Sequence, residues 1–179
     1  MAFDIQSLTW SKLLCDASGV DMDLLSTPVP TGTSAGALKP EIAQILGLSE
    51  TTIAVSVSHD QVAAAVGSGV FDASATVDGA GTVECMTPVF TEYNTAKMAE
   101  NNYCIVPFIT PGSYVTYAFS YTGGALVKWF VDNLAGFAAQ TAKDKGVRVY
   151  SELEDAWNGE PTGILVLPHF AGAATPYMD

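Results

Sequence analysis

Positive charge is scarce in this sequence. Seven Lys and Arg face nineteen Asp and Glu across 179 residues, for a formal net charge of −12. The basic residues are Lys12, Lys39, Lys97, Lys128, Lys143, Lys145 and Arg148. They are too few and too scattered to track a phosphate backbone, which argues against nucleic acid and against an anionic membrane surface as partners. Between Lys39 and Lys97 there is no Lys or Arg at all. A phosphate bound in that stretch must therefore be held by backbone N–H groups, hydroxyls and a metal ion. Histidine is equally rare, with only His59 and His169, which excludes a histidine-rich metal site. Cys15, Cys85 and Cys104 are odd in number and share no metal-ligand spacing, so they read as buried thiols in a reducing compartment. No apolar run reaches the roughly 18 residues of a membrane span, and the start MAFDIQSLTW lacks the basic opening of a signal peptide. The expectation is a soluble, cytoplasmic chain.

What is present is apolar. Hydrophobic residues make up 49% and charged residues 15%, a composition that folds rather than staying disordered. The length suits one domain able to bury roughly 70% of its unfolded surface. Apolar spacing at Leu8, Trp10, Leu13 and Leu14 predicts a helix over 7–17. Residues 24–37 carry Pro28, Pro30, Gly32 and Gly36 and read as an irregular connection. Pro40 at a first helical position opens a helix that runs to Gly47. The β-branched run Ile53–Val57 reads as a strand, followed by the polar corner Ser58-His59-Asp60 and a small-residue helix from Gln61 to Gly67. Strands are expected at 73–77 and 83–89, joined by Asp78-Gly79-Ala80-Gly81-Thr82, and near 104–109 and 114–119. Helices are expected at 125–134 and 151–157, and Gly163–Leu167 reads as a buried strand stopping at Pro168. Cys85 and Cys104 fall in the expected strands, as packing residues. Helices alternating with strands make the fold class α/β.

Three places carry chemistry. A carboxylate at Asp60, at the carboxyl end of a strand, suits a base that takes a proton from a substrate hydroxyl, and equally suits a helix cap. The two glycines of 79–82 can bring N–H groups and the Thr82 hydroxyl against a phosphate, although any hairpin tip needs glycine for its turn. Thr122-Gly123-Gly124-Ala125 opens a helix, where unpaired N–H groups favour an anion and small residues also favour close packing. Lys128, one turn in, points either to that anion or to water. His59 and His169 can serve as acid, base or sugar-hydroxyl donor, or as hydrogen-bonded structural groups.

The order of these blocks is more specific than any one of them. Ser58-His59-Asp60-Gln61-Val62-Ala63-Ala64-Ala65-Val66-Gly67-Ser68-Gly69 resembles the catalytic segment of the FGGY carbohydrate kinases. Asp78–Glu84 is similar to their second phosphate loop, and Ser120–Asp132 to their Gly-Ala helix with its Trp and Asp. Leu165–Gly172 resembles the strand and loop that open the last third of these enzymes. The resemblance implies an actin-like, ribonuclease-H-like fold of two domains, with residues 1–70 ending the sugar-side domain and 71–179 beginning the nucleotide-side domain. It implies ATP and Mg²⁺ as cofactors and a sugar, polyol or sugar acid as substrate. By position Asp60 is the general base, Gln61 and His59 bind the sugar, Gly81 and Thr82 face the β- and γ-phosphates, and Gly124 lies by the nucleotide. Lys128 stands where relatives often have Gln near the nucleotide, which makes it a further nucleotide-binding residue by this resemblance. No metal ligand is assigned in this chain.

The departures are a Ser-Leu-Gly-Thr-Ser pattern replaced by Gly79-Ala80-Gly81-Thr82-Val83, and a Gly-Glu-Arg pattern replaced in Ala171-Gly172-Ala173-Ala174. The family's first phosphate hairpin and its adenine loop have no counterpart here. The expectation is a central kinase fragment, inactive alone, with complementary kinase segments or self-association covering its exposed faces. The alternative is a non-catalytic remnant that binds a sugar or a partner chain.

Overall fold

The computed structural model describes residues 2–179. They divide into two compact units. The first comprises the chain up to Val77 with Thr87–Asn94 and Cys104–Thr116; the second comprises Asp78–Met86, Thr95–Tyr103 and Tyr117–Asp179.

The first unit opens with a short antiparallel pair, β1 (Phe3–Asp4) and β2 (Thr9–Trp10). The helix expected over 7–17 starts late, as α1 (Lys12–Ser18). Its delay has a local cause. The Asp4 carboxylate accepts from the Gln6 N–H at 2.8 Å and the Ser7 hydroxyl at 2.9 Å, closing a turn, and Leu8 takes φ 55°. Those two bonds hold the Asp4 carboxyl below its ordinary value, the Gln6 N–H contributing most. Ser11 then caps α1, accepting from the Leu14 N–H at 3.4 Å. Of this helix only Cys15 is buried, so Leu13 and Leu14 face outward.

The stretch read as irregular contains β3 (Ser34–Ala37), which pairs antiparallel with β4 (Ile53–Val55) across a register shift at Ser34/Gly36. Between them lies α2 (Pro40–Leu46), with Pro40 at its start and Gly47 at φ 66° closing it, as the sequence indicates. After β4 comes α3 (Asp60–Gly67), which buries Val62 and Ala65 on one face. The remaining strands of this unit are the end of β6 (Glu84–Phe90), β7 (Val106–Pro107) and β8 (Tyr114–Val115). Val115 faces Val89 on one side and Val106 on the other and is fully buried. That register sets Pro88 opposite Thr116, and Pro88 has no N–H to give to the ladder. The buried hydroxyls of Thr87 and Thr116 have no hydrogen-bond partner among the described residues.

In the second unit the first half of β6 pairs antiparallel with β9 (Ala118–Ser120), Cys85 opposite Phe119. β5 (Thr76–Ala80) precedes β6 and neighbours it, so the hairpin tip is Gly81–Val83, shorter than the expected 78–82 connection. The helices are α4 (Thr95–Glu100), α5 (Gly124–Asn133), α6 (Gly136–Lys145) and α7 (Val149–Ala156). The sequence reading has no helix at α6. This helix buries only Ala142 and carries Gly136 at its start, so it offers no apolar stripe to detect. It packs on α7, helped by a 2.7 Å ion pair between Lys145 and Glu152.

Two further expectations fail. Gly163–Leu167 is not a strand and is not buried: no strand partner for it exists among the described residues, and Leu165 is 96% exposed. Cys104 is exposed and lies outside any strand, whereas Cys15 and Cys85 are buried. Among the described residues no helix is long and apolar enough to cross a membrane.

The uneven burial gives a direct test. Val115→Ala is expected to cost about 2 kcal/mol in urea unfolding, because two methyl groups leave a packed site. Leu165→Ala should stay within about 0.5 kcal/mol of the parent chain. Equal effects would mean that the core lies elsewhere.

Candidate functional site

The site residues fall into two groups, one in each unit. In the first, β4 ends at Val55 and three residues lead to His59, the residue before α3. The cap position is therefore His59, and Asp60 is the first helical residue. A carboxylate in the first turn is favoured by the helix dipole whatever else it does. The Gln61 N–H donates to Asp60 Oδ1 at 2.8 Å, and His59 Nδ1 lies 3.0 Å from the same oxygen. His59 Nδ1 also lies 3.4 Å from the Gln61 N–H as an acceptor. One nitrogen cannot accept and donate at once. The two shorter contacts converge on Asp60 Oδ1, which places the proton on Nδ1 and makes the carboxylate the acceptor of both. Oδ2 has no partner among the described residues, and the Asp60 side chain is 84% exposed. One oxygen is thus anchored and the other is open to accept a proton. His59, Asp60 and Gln61 stand together; His169 is in the other unit, its ring 6.3 Å from Tyr177.

The second group is the tip of the β5–β6 hairpin against the start of α5. Gly123 N–H donates to Thr82 O at 3.0 Å, Gly124 N–H to Gly81 O at 2.7 Å and Ala125 N–H to Thr82 O at 3.2 Å. Gly81, Thr82 and Gly124 are therefore brought together. The chemistry differs from the sequence expectation: the N–H groups that open α5 are not awaiting an anion but are bound to hairpin carbonyls. Gly81 N–H is also used, donating to Val83 O at 2.9 Å. Donors without an acceptor among the described residues are the Thr82 and Val83 N–H groups and the Thr82 hydroxyl. Val83 was not singled out by the sequence, where its side chain reads only as the loss of a hydroxyl.

Glycine is required here by proximity. A Cβ on Gly123 would lie 2.9 Å from Val83 C and O, and one on Gly124 would lie 2.9 Å from Gly81 O. The start of α5 is fixed on its other side as well, since the buried Thr122 hydroxyl donates to Pro168 O. Trp129 on α5 packs on Phe170 with ring centroids 4.8 Å apart. Lys128 does not join the tip. Its ammonium pairs with Asp132 Oδ2 at 2.6 Å, one turn along the same helix. That hydrogen bond, reinforced by the carboxylate's charge, pushes the Lys128 pKa upward.

Residues 1–67 match the model of the FGGY family of carbohydrate kinases, N-terminal domain. The autoinducer-2 kinase of Klebsiella pneumoniae is 30% identical over 171 residues, which cover 95% of this chain and 32% of that protein. By family model and by relatives, the likeness of this sequence is to the FGGY family of carbohydrate kinases. The autoinducer-2 kinase of Enterobacter sp. strain 638 is 29% identical over the same length. A xylulose kinase from Lactobacillus acidophilus superposes with a TM-score of 0.76 at 17% identity, over 98% of this chain and 34% of that one. A gluconate kinase from the same organism gives 0.75 at 19% identity over the same shares. At these identities the solved structures speak for the fold, that of the actin-like ATPases. The chain spans about a third of the length of the curated relatives it matches.

The Lys128–Asp132 pair carries a pH signature. A folded-state pKa raised above the ordinary lysine value of 10.5 contributes stability that is present below that value and lost as pH rises through the raised one. Asp132→Asn is expected to bring the Lys128 pKa back toward 10.5, read by NMR titration of its Cε. An unchanged titration would place the cause elsewhere.

Proposed function

We propose that this chain is the central part of an ATP-dependent carbohydrate kinase, which moves the terminal phosphoryl group of ATP to a hydroxyl of a sugar, polyol or sugar acid. The observation that carries the reading is Asp60, with one carboxylate oxygen held by two donors and the other open at the head of α3. In this reading Asp60 takes the hydroxyl proton as the substrate oxygen bonds to the γ-phosphorus and the phosphoanhydride bond breaks, releasing ADP. Gln61 and His59 bind neighbouring hydroxyls. The half-buried Gln61 side chain suits this, having no partner of its own among the described residues. Residues 1–70 would end the sugar-side domain and 71–179 begin the nucleotide-side one, in keeping with a family match that stops at residue 67.

The nucleotide-side group fits a phosphate. Two consecutive N–H groups and a hydroxyl at Thr82 and Val83 are open, in a segment without a single Lys or Arg. Gly81 and Gly124 supply the close approach, and Lys128 is given a peripheral role because Asp132 already neutralises it. For Mg²⁺ the fit is absent within the chain: the described residues contain no group of three or more His, Cys, Asp or Glu able to hold it. In this reading the metal would arrive with the nucleotide phosphates.

A second reading concerns the 179 residues by themselves. The chain spans about a third of its relatives, which supports a polypeptide that binds but does not turn over unless complementary kinase segments are supplied.

Two outcomes are expected. The isolated chain should show no ATP-dependent phosphorylation across a panel of ketoses, polyols and sugar acids; turnover abolished by Asp60→Asn would overturn this second reading. Within a complete kinase polypeptide carrying this segment, Asp60→Ala should lower kcat by about 10²–10⁴-fold and leave the KM for ATP nearly unchanged. Comparable losses in both parameters would make Asp60 a structural residue.

A further inference from the structure

We propose that the N-terminus of α5 is a latch that aims the hairpin donors, and that Gly123 is a positioning residue for the phosphate loop. The inference rests on the kinase reading for the identity of the ligand, but the latch itself does not. A helix start normally leaves several N–H groups unpaired and carries partial positive charge, which makes it an anion site by default. Here those groups are spent on protein. Three consecutive N–H groups, from Gly123, Gly124 and Ala125, bind the carbonyls of Gly81 and Thr82 at 2.7 to 3.2 Å.

The consequence follows from the planar peptide. In a trans peptide the carbonyl of one residue and the N–H of the next point in opposite directions. The only cis bond among the described residues is Thr175-Pro176, so both tip peptides are trans. Holding the Gly81 and Thr82 carbonyls against α5 therefore turns the Thr82 and Val83 N–H groups away from it. These are the two tip amides that lack an acceptor. The helix fixes two adjacent dipoles outward without contributing a donor to the ligand itself. This is a way to build a phosphate cradle where no lysine is available.

Gly123 is the weak point of the latch. An added methyl would meet the Val83 carbonyl carbon and oxygen at 2.9 Å and the Glu84 nitrogen at 3.0 Å, all backbone atoms, so the hairpin has to move. Gly136 at the start of α6 is the matched control, because a Cβ there meets nothing within 4 Å.

The test is NMR on the 179-residue chain. Through-hydrogen-bond couplings are expected from Gly124 N to Gly81 C′ and from Ala125 N to Thr82 C′. Both amides should also exchange with solvent about tenfold or more slowly than that of Phe137, a first-turn amide of α6 with no acceptor among the described residues. Gly123→Ala should abolish the couplings and remove the protection, while Gly136→Ala leaves both intact. Titration with Mg²⁺ and the imido analogue of ATP should shift the Thr82 and Val83 amides in the parent chain, with about tenfold or more weaker affinity in Gly123→Ala. Absent couplings in the parent chain, or couplings that survive Gly123→Ala, would overturn the latch. If the latch behaves as expected but no nucleotide shift occurs in the parent, the kinase reading of the loop fails and the latch stands. If Gly123→Ala loses protection globally, at Val70, whose N–H donates to Ala65 O at 3.0 Å, and at Val115 as well, the parent couplings alone decide.

Discussion

The contact on which the second unit depends is made between two stretches of backbone. The tip of a β-hairpin and the first turn of a helix share three N–H···O=C bonds with no side chain between them. Two glycines make this possible, because a β-carbon on either would collide with main chain. On its far side the helix start is tied to Pro168 by the Thr122 hydroxyl, and Trp129 and Phe170 close the same region. The buried residues of this unit are otherwise few and small, Cys85, Ala135, Ala142 and Ala174 among them. The three backbone bonds fix the geometry of this region rather than supplying the bulk of its stability.

Scarcity of positive charge runs through the same region. With no Lys or Arg between Lys39 and Lys97, and with Lys128 neutralised by Asp132, fixed cationic side chains are not what the tip presents. It presents oriented amide dipoles. Dipoles fixed by a fold need no reorganisation when a charge arrives, which suits phosphoryl transfer, where positioning and charge stabilisation dominate. On the Asp60 side the logic is similar. Backbone and histidine donors hold one carboxylate oxygen, so the direction of the other is set by α3 and not by a flexible partner.

The residues that the sequence read wrongly share a physical origin. Gly163–Leu167 has the composition of a buried strand, yet a strand exists only through its neighbours, and none pairs with it among the described residues. The chain spans about a third of its relatives, and many large apolar side chains are exposed, Leu165 and Phe137 most of all. Composition was thus legible there and burial was not. At 7–17 the apolar spacing suggested a longer helix, but Asp4 bonded to Gln6 and Ser7 captured the first residues in a turn. The missing signal at α6 is the reverse case: a helix with one buried alanine leaves almost no trace in hydrophobic periodicity.

Local punctuation came directly from the sequence. Pro40 and Gly47 bound α2, the polar corner at 58–60 leads into α3, and the ordered blocks around Asp60, Thr82 and Gly124 carry the likeness to the FGGY kinases and the α/β class. These features are set by residues close in the chain, so one sequence is enough to read them. Which groups remain free for chemistry is a different matter. That the α5 amides are consumed while those of Thr82 and Val83 stay open, that Lys128 is spent on Asp132, and that the Gln61 N–H goes to the Asp60 carboxylate although His59 holds the cap position depend on where carbonyls and carboxylates point. Only the tertiary structure decides this, because each donor is claimed by an acceptor whose direction is set by the packed backbone around it.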